Sequence, residues 1–338
     1  MRYIGSKKNL LKNIDLFIRK NIKEEANSFI DAFSGSATVG SYFKSNYQVI
    51  SNDNLYFSYL LQKIFIEFNS YPSFSRLKNV GINCPFEYFN SLSKGVAGHA
   101  FNQFSDGGAE GRKYFSQENG QKIDLIIKQT NGWLDENLVS KDEKDYIFGS
   151  LIFHIPSFSN IGGTYGAYLK SWDKRALKKF IFYGLPITNN GKNNYSHCSD
   201  INDFIAHAKG DILYLDPPYN NRQYAPNYHL LETIAREDFK NLRGKTGLRD
   251  YLNQKSDFCI KSKVHNALQN ILEKTSSKHI VMSYSSDGIM SAKEIEQLFC
   301  QCLVSSSFVF EKIPYRRFKR TSSKTDKVLY EYLFYGKK

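Results

Sequence analysis

A four-residue segment after an apolar run carries the most specific chemical signal in the sequence. Residues 212–215 predict a strand covered on both faces, and Asp216-Pro217-Pro218-Tyr219 follows it directly. The prolines lack N–H groups and stop the strand, so the carbonyl of Asp216 or Pro217 can face a ligand. A carboxylate and a carbonyl can accept both hydrogens of an aromatic amine, and Tyr219 can stack on its ring. The segment therefore predicts a pocket for a flat, amino-bearing base flipped out of a duplex; the alternative is a plain turn with Asp216 as a helix cap.

A loop of small residues near the start of the chain predicts a second binding site. Residues 28–33 predict a strand that runs into Ser34-Gly35-Ser36-Ala37-Thr38-Val39-Gly40 and then a helix, an order typical of nucleotide-binding loops in doubly wound sheets. Ser41-Tyr42 stands where a phosphate-binding loop needs Lys-Ser/Thr, and Ala37 replaces the glycine that admits a pyrophosphate. A nucleoside-like cofactor without phosphates remains, and Asp53, at the end of the next predicted strand, is placed to bind its ribose.

The pattern of predicted elements changes twice along the chain. Strands and helices alternate before about residue 65 and again after about residue 195, whereas glycine, serine, asparagine and aromatic residues rise between these points. We therefore predict a discontinuous catalytic domain, 1–64 and 196–338, and an inserted recognition domain, 65–195.

The chain carries a surplus of positive charge. Its 338 residues include 46 Lys and Arg against 33 Asp and Glu, a net charge of +13, which favours nucleic acid over a membrane as partner. A lysine-rich proteome is the alternative explanation. Basic residues interleaved with Tyr168, Trp172 and Phe180 suit a phosphate backbone with stacking nearby, or else form one solvated helix face. The predicted nucleic-acid contacts are Lys170, Lys174, Arg175, Arg222, Arg316 and Arg317.

The five cysteines, at positions 84, 198, 259, 300 and 302, indicate neither a zinc site nor a disulfide framework. No Cys-x-x-Cys occurs, and an odd count argues against pairing, so we expect no metal and a reducing, cytoplasmic compartment. The first residues turn polar at once, which predicts no signal peptide, and no apolar run reaches the ~18 residues of a membrane span.

Five motifs, in order, resemble those of the Dam-like, alpha-group N6-adenine DNA methyltransferases of restriction–modification systems. They are Arg2-Tyr3-Ile4-Gly5-Ser6-Lys7, Phe29-Ile30-Asp31-Ala32-Phe33-Ser34-Gly35, Asn52-Asp53-Asn54, Ser199-Asp200 and Asp216-Pro217-Pro218-Tyr219. The resemblance covers nearly the whole chain. It implies a Rossmann-like α/β fold with a mixed seven-stranded sheet, an inserted target-recognition domain and S-adenosylmethionine as methyl donor. The loop departs from many relatives, which place further glycine where this chain has Ser36-Ala37.

The resemblance also implies roles for individual residues. Tyr3 and Lys7 would touch S-adenosylmethionine, and Asp31 would meet its amino-acid end. The residues predicted to bind the cofactor are Tyr3, Lys7, Asp31, Phe33, Ser34, Gly35, Asp53, Asp200 and Asp216. The predicted catalytic residues are Asp216, Pro217, Pro218 and Tyr219. In such tetrapeptides, Asp at the first position is typical of adenine methyltransferases. Ser at this position is typical of cytosine-N4 enzymes, and Asn of RNA or glutamine methylases.

The implied activity is methyl transfer to N6 of an adenine flipped out of duplex DNA against Tyr219. The implied partners are double-stranded DNA and a cognate restriction endonuclease, and the chain is expected to be a monomer or a weak dimer. Two alternatives remain: an RNA or protein-glutamine methylase on the same fold, and a catalytically silent DNA-binding subunit. Asp216 disfavours the first, and intact cofactor motifs disfavour the second.

Overall fold

The chain folds into two compact units. The computed structural model describes residues 3–315 and 329–338. The sheet unit contains Ser6–Asn54, Asn190–Tyr224 and Gln254–Lys338, and the helical unit contains Met1–Gly5, Leu55–Asn189 and Ala225–Asn253.

The sheet unit is built on a mixed sheet of seven strands in the order β3-β2-β1-β4-β5-β7-β6. The strands are β1 Ser28–Asp31, β2 Gln48–Asp53, β3 Tyr195–Cys198, β4 Ile212–Leu215, β5 His279–Ser285, β6 Val304–Tyr315 and β7 Leu329–Lys337. The strands from β3 to β5 in this order pair in parallel, and β7 runs antiparallel to both β5 and β6. The predicted α/β fold with a mixed seven-stranded sheet is confirmed.

Helices account for most of the remaining regular structure. They are α1 Leu11–Asn21, α2 Thr38–Phe43, α3 Tyr56–Gln62, α4 Ser75–Asn79, α5 Pro85–Ser91, α6 His99–Phe104, α7 Gln117–Asp135, α8 Lys141–His154, α9 Ile201–His207, α10 Tyr224–Asn227, α11 His229–Arg236, α12 Val264–Lys274 and α13 Ala292–Cys302. A π-helical turn, Lys63–Glu67, continues α3, and the 3₁₀ turns are Ile155–Phe158, Leu252–Gln254 and Asp257–Cys259. No helix in the described part of the chain is long and apolar enough to cross a membrane.

The centre of the sheet is buried, which fixes the ends of its parallel strands. All four residues of β4 are buried, as expected for a central strand of a sheet with parallel neighbours. On one face, Ile30, Leu213 and Met282 pack in a core with apolar residues of α9, α12 and α13. Because the carboxyl ends of β1, β2 and β4 lie along one edge, the residues that follow these strands come close together.

The helical unit is built from helices, of which α7 and α8 begin at side-chain caps, and no strand of the described residues lies in it. The Ser116 hydroxyl accepts the Asn119 N–H at the start of α7, and Ser140 and Glu143 form a capping box on α8. The predicted insertion was 65–195. The contacts also assign residues 55–64 and 225–253 to this unit, because α3 and α11 pack on each other and on α8. Its role as a target-recognition domain stays a prediction.

Candidate active site at the carboxyl edge of the sheet

Three predicted acids follow or end neighbouring parallel strands. Asp31 ends β1 beside Tyr214 of β4, and Asp216 lies two residues beyond Tyr214. Asp53 ends β2, two residues beyond the partner of Asp31. The structure therefore brings Asp31, Asp53 and Asp216 to one edge of the sheet unit. In the parts of the chain that the structure describes, no group of His, Cys, Asp and Glu is arranged to hold a metal ion.

Asp216 is held by a buried ammonium group that a second carboxylate shares. Lys7 Nζ lies 2.8 Å from Asp216 Oδ1 and 3.0 Å from Glu331 Oε1. The side chains of Lys7 and Glu331 are 4% and 6% exposed, whereas that of Asp216 is 18% exposed. Next to them, the hydroxyls of Tyr214 and Ser283 are hydrogen-bonded at 2.8 Å. Asp216 is thus the member of the triad that retains access to solvent.

Burial sets the direction of the pKa shifts of the two carboxyl groups in this triad. It raises the pKa of Asp216, although Lys7 opposes the shift. Burial also raises the pKa of Glu331, and the charge of Asp216 adds to the rise. Burial alone would lower the pKa of Lys7, but Asp216 and Glu331 raise it well above its ordinary value. Lys7 therefore stays protonated at neutral pH and compensates one of two carboxylates.

Asp31 has a different environment at the end of the adjacent strand. It is 1% exposed, and its Oδ2 accepts the Gly40 N–H of α2 at 2.9 Å. Its other oxygen, Oδ1, is buried and accepts no hydrogen bond from the described residues. Burial raises the pKa of Asp31 to about 7, although the bond from Gly40 lowers it. The site thus leaves one buried acceptor available to a ligand donor.

The loop after β1 is fastened to the end of β2. The Gly35 N–H donates to Asp53 Oδ2 at 2.8 Å, and the Ser34 N–H donates to the Asn52 carbonyl at 2.9 Å. Ala37 closes the loop in the left-handed region, with φ of 59°. An L-residue with a Cβ atom is strained there, so Ala37 occupies a position that suits glycine. The substitution singled out in the sequence is therefore a point of backbone strain.

Other predicted residues of the sheet unit are fixed by packing and caps. The Phe33 ring packs edge-on against Phe258 at 5.3 Å between centroids. Asp200 is the N-cap of α9 and accepts the Asn202 N–H at 2.9 Å. The Tyr219 carbonyl accepts the Ile289 N–H at 2.8 Å. This bond ties the end of the Asp-Pro-Pro-Tyr segment to the loop after β5.

The remaining predicted residues lie in several places. In the helical unit, Tyr3 stacks on Tyr228 with centroids 4.7 Å apart. Lys170 and Lys174 are exposed there, but Arg175 Nη2 donates to the Ile161 carbonyl and to Asp173, each at 3.1 Å. Arg222 is exposed in the sheet unit, and Arg316 and Arg317 lie outside the described residues.

Glu331 was not among the residues predicted from the sequence. Glu331 lies on β7 opposite Ser285 of β5, inside the otherwise apolar and aromatic run 329–335. A charged residue within such a run was the available signal, because a carboxylate is seldom buried without a partner. No local sequence pattern indicated that Lys7 is that partner.

This sheet order, with an acidic edge and the Asp-Pro-Pro-Tyr segment after β4, defines a Rossmann-like α/β methyltransferase class. The family model of the D12 class N6 adenine-specific DNA methyltransferases matches residues 3–298, and the chain belongs to this family. The resemblance predicted from the motifs is confirmed.

Curated relatives agree with this membership. The chain is 46% identical to type II methyltransferase M.FokI of Planomicrobium okeanokoites, with 100% of the chain and 53% of the relative covered. It is 39% identical to modification methylase StsI of Streptococcus sanguinis, with 99% and 51% covered. It is 33% identical to type II methyltransferase M.NlaIII of Neisseria lactamica, with 98% of each covered. The chain thus spans about half the length of the first two relatives and almost all of the third.

Proposed function

We propose that the chain transfers a methyl group from S-adenosylmethionine to N6 of adenine in duplex DNA, as the modification enzyme of a restriction–modification system. The observation that carries the proposal is the position of Asp216 after β4, held by Lys7 and Glu331, at the same edge as Asp31 and Asp53. The family and the relatives named as modification methylases support it.

The donor set at the ends of β1 and β2 suits S-adenosylmethionine. Asp31 Oδ1 is a buried acceptor without a hydrogen bond from the described residues, and it would accept from the ammonium of the methionine part. Asp53, whose carboxylate orients the loop through Gly35, would bind the ribose hydroxyls. When bound, the cofactor supplies a methyl group on a positively charged sulfur, which is an activated leaving group.

Asp216 would act on the amino group of the target base. Its carboxylate and the Pro217 carbonyl accept the two N6 hydrogens, which localises the nitrogen lone pair for attack. The nitrogen gains a methyl group and must lose one proton, and Asp216 is the acceptor at hand. Lys7 fixes the orientation of Asp216, and Tyr219 stacks on the flipped base. These residues would thus accelerate methyl transfer by positioning the base and by stabilising the charges of the transition state.

The proposal includes the partners implied by the sequence. The net charge of +13 supports binding to the phosphates of double-stranded DNA. The modification role implies a cognate restriction endonuclease and action on DNA in the cytoplasm. We propose that the chain acts as a monomer or a weak dimer, since each site contains its own Lys7, Asp216 and Glu331.

Substitution of Asp216 tests the activity. In an assay of tritiated methyl incorporation into duplex DNA, Asp216→Ala is expected to lose about 100- to 1000-fold in rate, because one charge-assisted acceptor acting in the transition state is removed. Glu311→Gln, at a half-buried position of the edge strand β6, is the control and should retain wild-type activity. Single-molecule sequencing of DNA from an expressing, methylation-free host should show N6-methyladenine in one sequence context. A fully active Asp216→Ala variant, or methylation of RNA alone, would contradict the proposal.

A further inference from the structure

A short basic turn in the helical unit has no role in the site described above. We call residues 240–248 the basic turn. It follows α11 in the segment Ala225–Asn253, which belongs to the helical unit although the catalytic segment before it belongs to the sheet unit. Lys240, Arg243 and Lys245 are exposed within it.

The backbone of the basic turn forms a closed hairpin. The Arg243 N–H donates to the Leu248 carbonyl at 2.9 Å, and the Leu248 N–H donates back to Arg243 at 2.8 Å. Gly244 and Gly247 adopt φ of 67° and 68°, a conformation that glycine accepts without strain. The turn therefore has a defined backbone, from which its three cationic side chains extend.

Buried side chains hold the basic turn from beneath. Arg112, 5% exposed, donates to the Gly244 carbonyl at 3.2 Å and to Gln103 Oε1 at 2.8 Å. Its guanidinium also lies 3.0 Å from Glu110. A Cβ atom at Gly247 would come within 2.9 Å of Arg112 Nη1 and 3.0 Å of the Phe104 ring. The close approach of Gly247 thus depends on glycine.

Three acids before the basic turn have partners outside it, and exposed Asp250 after it accepts the Leu252 N–H at 3.0 Å. Glu232 accepts the N–H groups at the start of α3 and pairs with Arg236, Glu237 pairs with Lys144, and Asp238 pairs with Arg249. In residues 3–315 and 329–338, no carboxylate forms an ion pair with Lys240, Arg243 or Lys245. Three uncompensated cations within six residues favour a polyanion as the binding partner.

We propose that the basic turn is a contact surface for duplex DNA, with Lys240, Arg243 and Lys245 binding backbone phosphates. The inference rests on the proposed function, which makes duplex DNA the substrate. Because the hairpin is closed and anchored before binding, little conformational freedom is lost in the complex. Phosphate contacts fix register on the duplex without reading bases, so this surface would position the enzyme rather than choose its sequence.

The salt dependence of DNA binding tests this surface. The probe is a 30-base-pair duplex of random sequence, at roughly 50 to 200 mM salt, with the full chain. The triple variant Lys240→Gln/Arg243→Gln/Lys245→Gln should flatten the slope of log affinity against log salt by about 2 to 3, because each phosphate contact contributes about 0.9. The control, Lys128→Gln/Lys209→Gln/Lys293→Gln, removes the same charge from exposed lysines elsewhere. Equal slopes for the two triple variants would overturn the proposal.

A variant that keeps the charge separates the geometry from the cations. Gly247→Ala displaces the turn from Arg112 and should weaken binding several-fold; wild-type affinity would overturn the claim that a preorganised hairpin presents the cations. Thermal unfolding of each variant checks that the fold is retained. A wild-type chain that binds no duplex DNA would refute the proposed function itself, whereas an unchanged slope in an enzyme that still requires Asp216 would refute only the basic turn.

Discussion

Asp31 and Asp216 end or follow adjacent strands, yet the protein compensates their charges differently. Asp216 lies beside the ammonium of Lys7, which it shares with Glu331. Asp31 has one backbone N–H from Gly40, an acceptor left over and a pKa raised by burial to about 7. The difference matches the two ligands proposed. The cofactor has an ammonium group that would neutralise Asp31, whereas the adenine amine is neutral and would leave Asp216 dependent on Lys7.

Removing Lys7 should have the largest effect on stability. Lys7→Met leaves Asp216 and Glu331 buried without a cation, and the free energy of unfolding at pH 7 is expected to fall by about 3–5 kcal/mol in urea titrations. The loss should shrink as the pH falls. With their pKa values raised in the folded state, both carboxyl groups take up protons there before they do in the unfolded chain.

Two variants sharpen this test. Lys7→Met/Glu331→Gln should recover part of the loss, since only one carboxylate remains without its ammonium. Lys20→Met breaks the exposed pair with Glu311 and should cost at most about 1 kcal/mol. If Lys7→Met cost no more than Lys20→Met, the buried triad would not differ energetically from a surface ion pair.

Neutralising Asp31 should stabilise the chain and impair cofactor binding. Because the folded pKa of about 7 exceeds the usual 3.8, wild-type stability falls as the pH rises through this interval. Asp31→Asn should therefore raise the free energy of unfolding by about 2–4 kcal/mol at pH 8, and by less at pH 5.5. Calorimetry should show S-adenosylmethionine binding weakened by about 10- to 100-fold, the value of one hydrogen bond between charged groups.

The control for Asp31 is Asp211, the residue before β4, whose pKa is shifted in the opposite direction. The pKa of Asp211 is lowered: burial raises it, but the N–H groups of Asn27 and Ser28 and the Ser28 hydroxyl prevail. Asp211→Asn should destabilise the fold at neutral pH. An Asp31→Asn variant that loses stability in the same way would contradict the assignment of Asp31 as a strained, ligand-compensated acid.

The smallest expected effect concerns the loop between Asp31 and Asp53. Ala37→Gly relieves the positive φ and should raise the free energy of unfolding by about 0.5–1 kcal/mol, because the relief exceeds the added entropy of glycine in the unfolded chain. The control is Ala267→Gly in α12, where glycine should lower the free energy of unfolding by a similar amount. Destabilisation by Ala37→Gly would show that the Ala37 side chain contributes packing that outweighs the strain.

The sequence sufficed for the parts of the molecule in which chemistry follows from position along a strand. Asp31, Asp53 and Asp216 could be placed together because parallel strands share one carboxyl edge, so three local motifs determine one site.

What could not be predicted depends on tertiary packing. Glu331 acquires its role from Lys7, which is distant in the sequence, and no periodicity connects the two. The return of residues 225–253 to the helical unit was equally hidden. The amphipathic pattern of α11 requires a buried face but does not say that α3 and α8 provide it.

The position of β7 between β5 and β6 has a consequence for biosynthesis. Residue 331 leaves the ribosome long after residues 7 and 216, so a nascent chain has Lys7 and Asp216 but not yet their third partner. Contacts of such wide sequence separation form late in folding. Assembly of the triad would therefore wait for β7, and a chain released before residue 331 would lack Glu331.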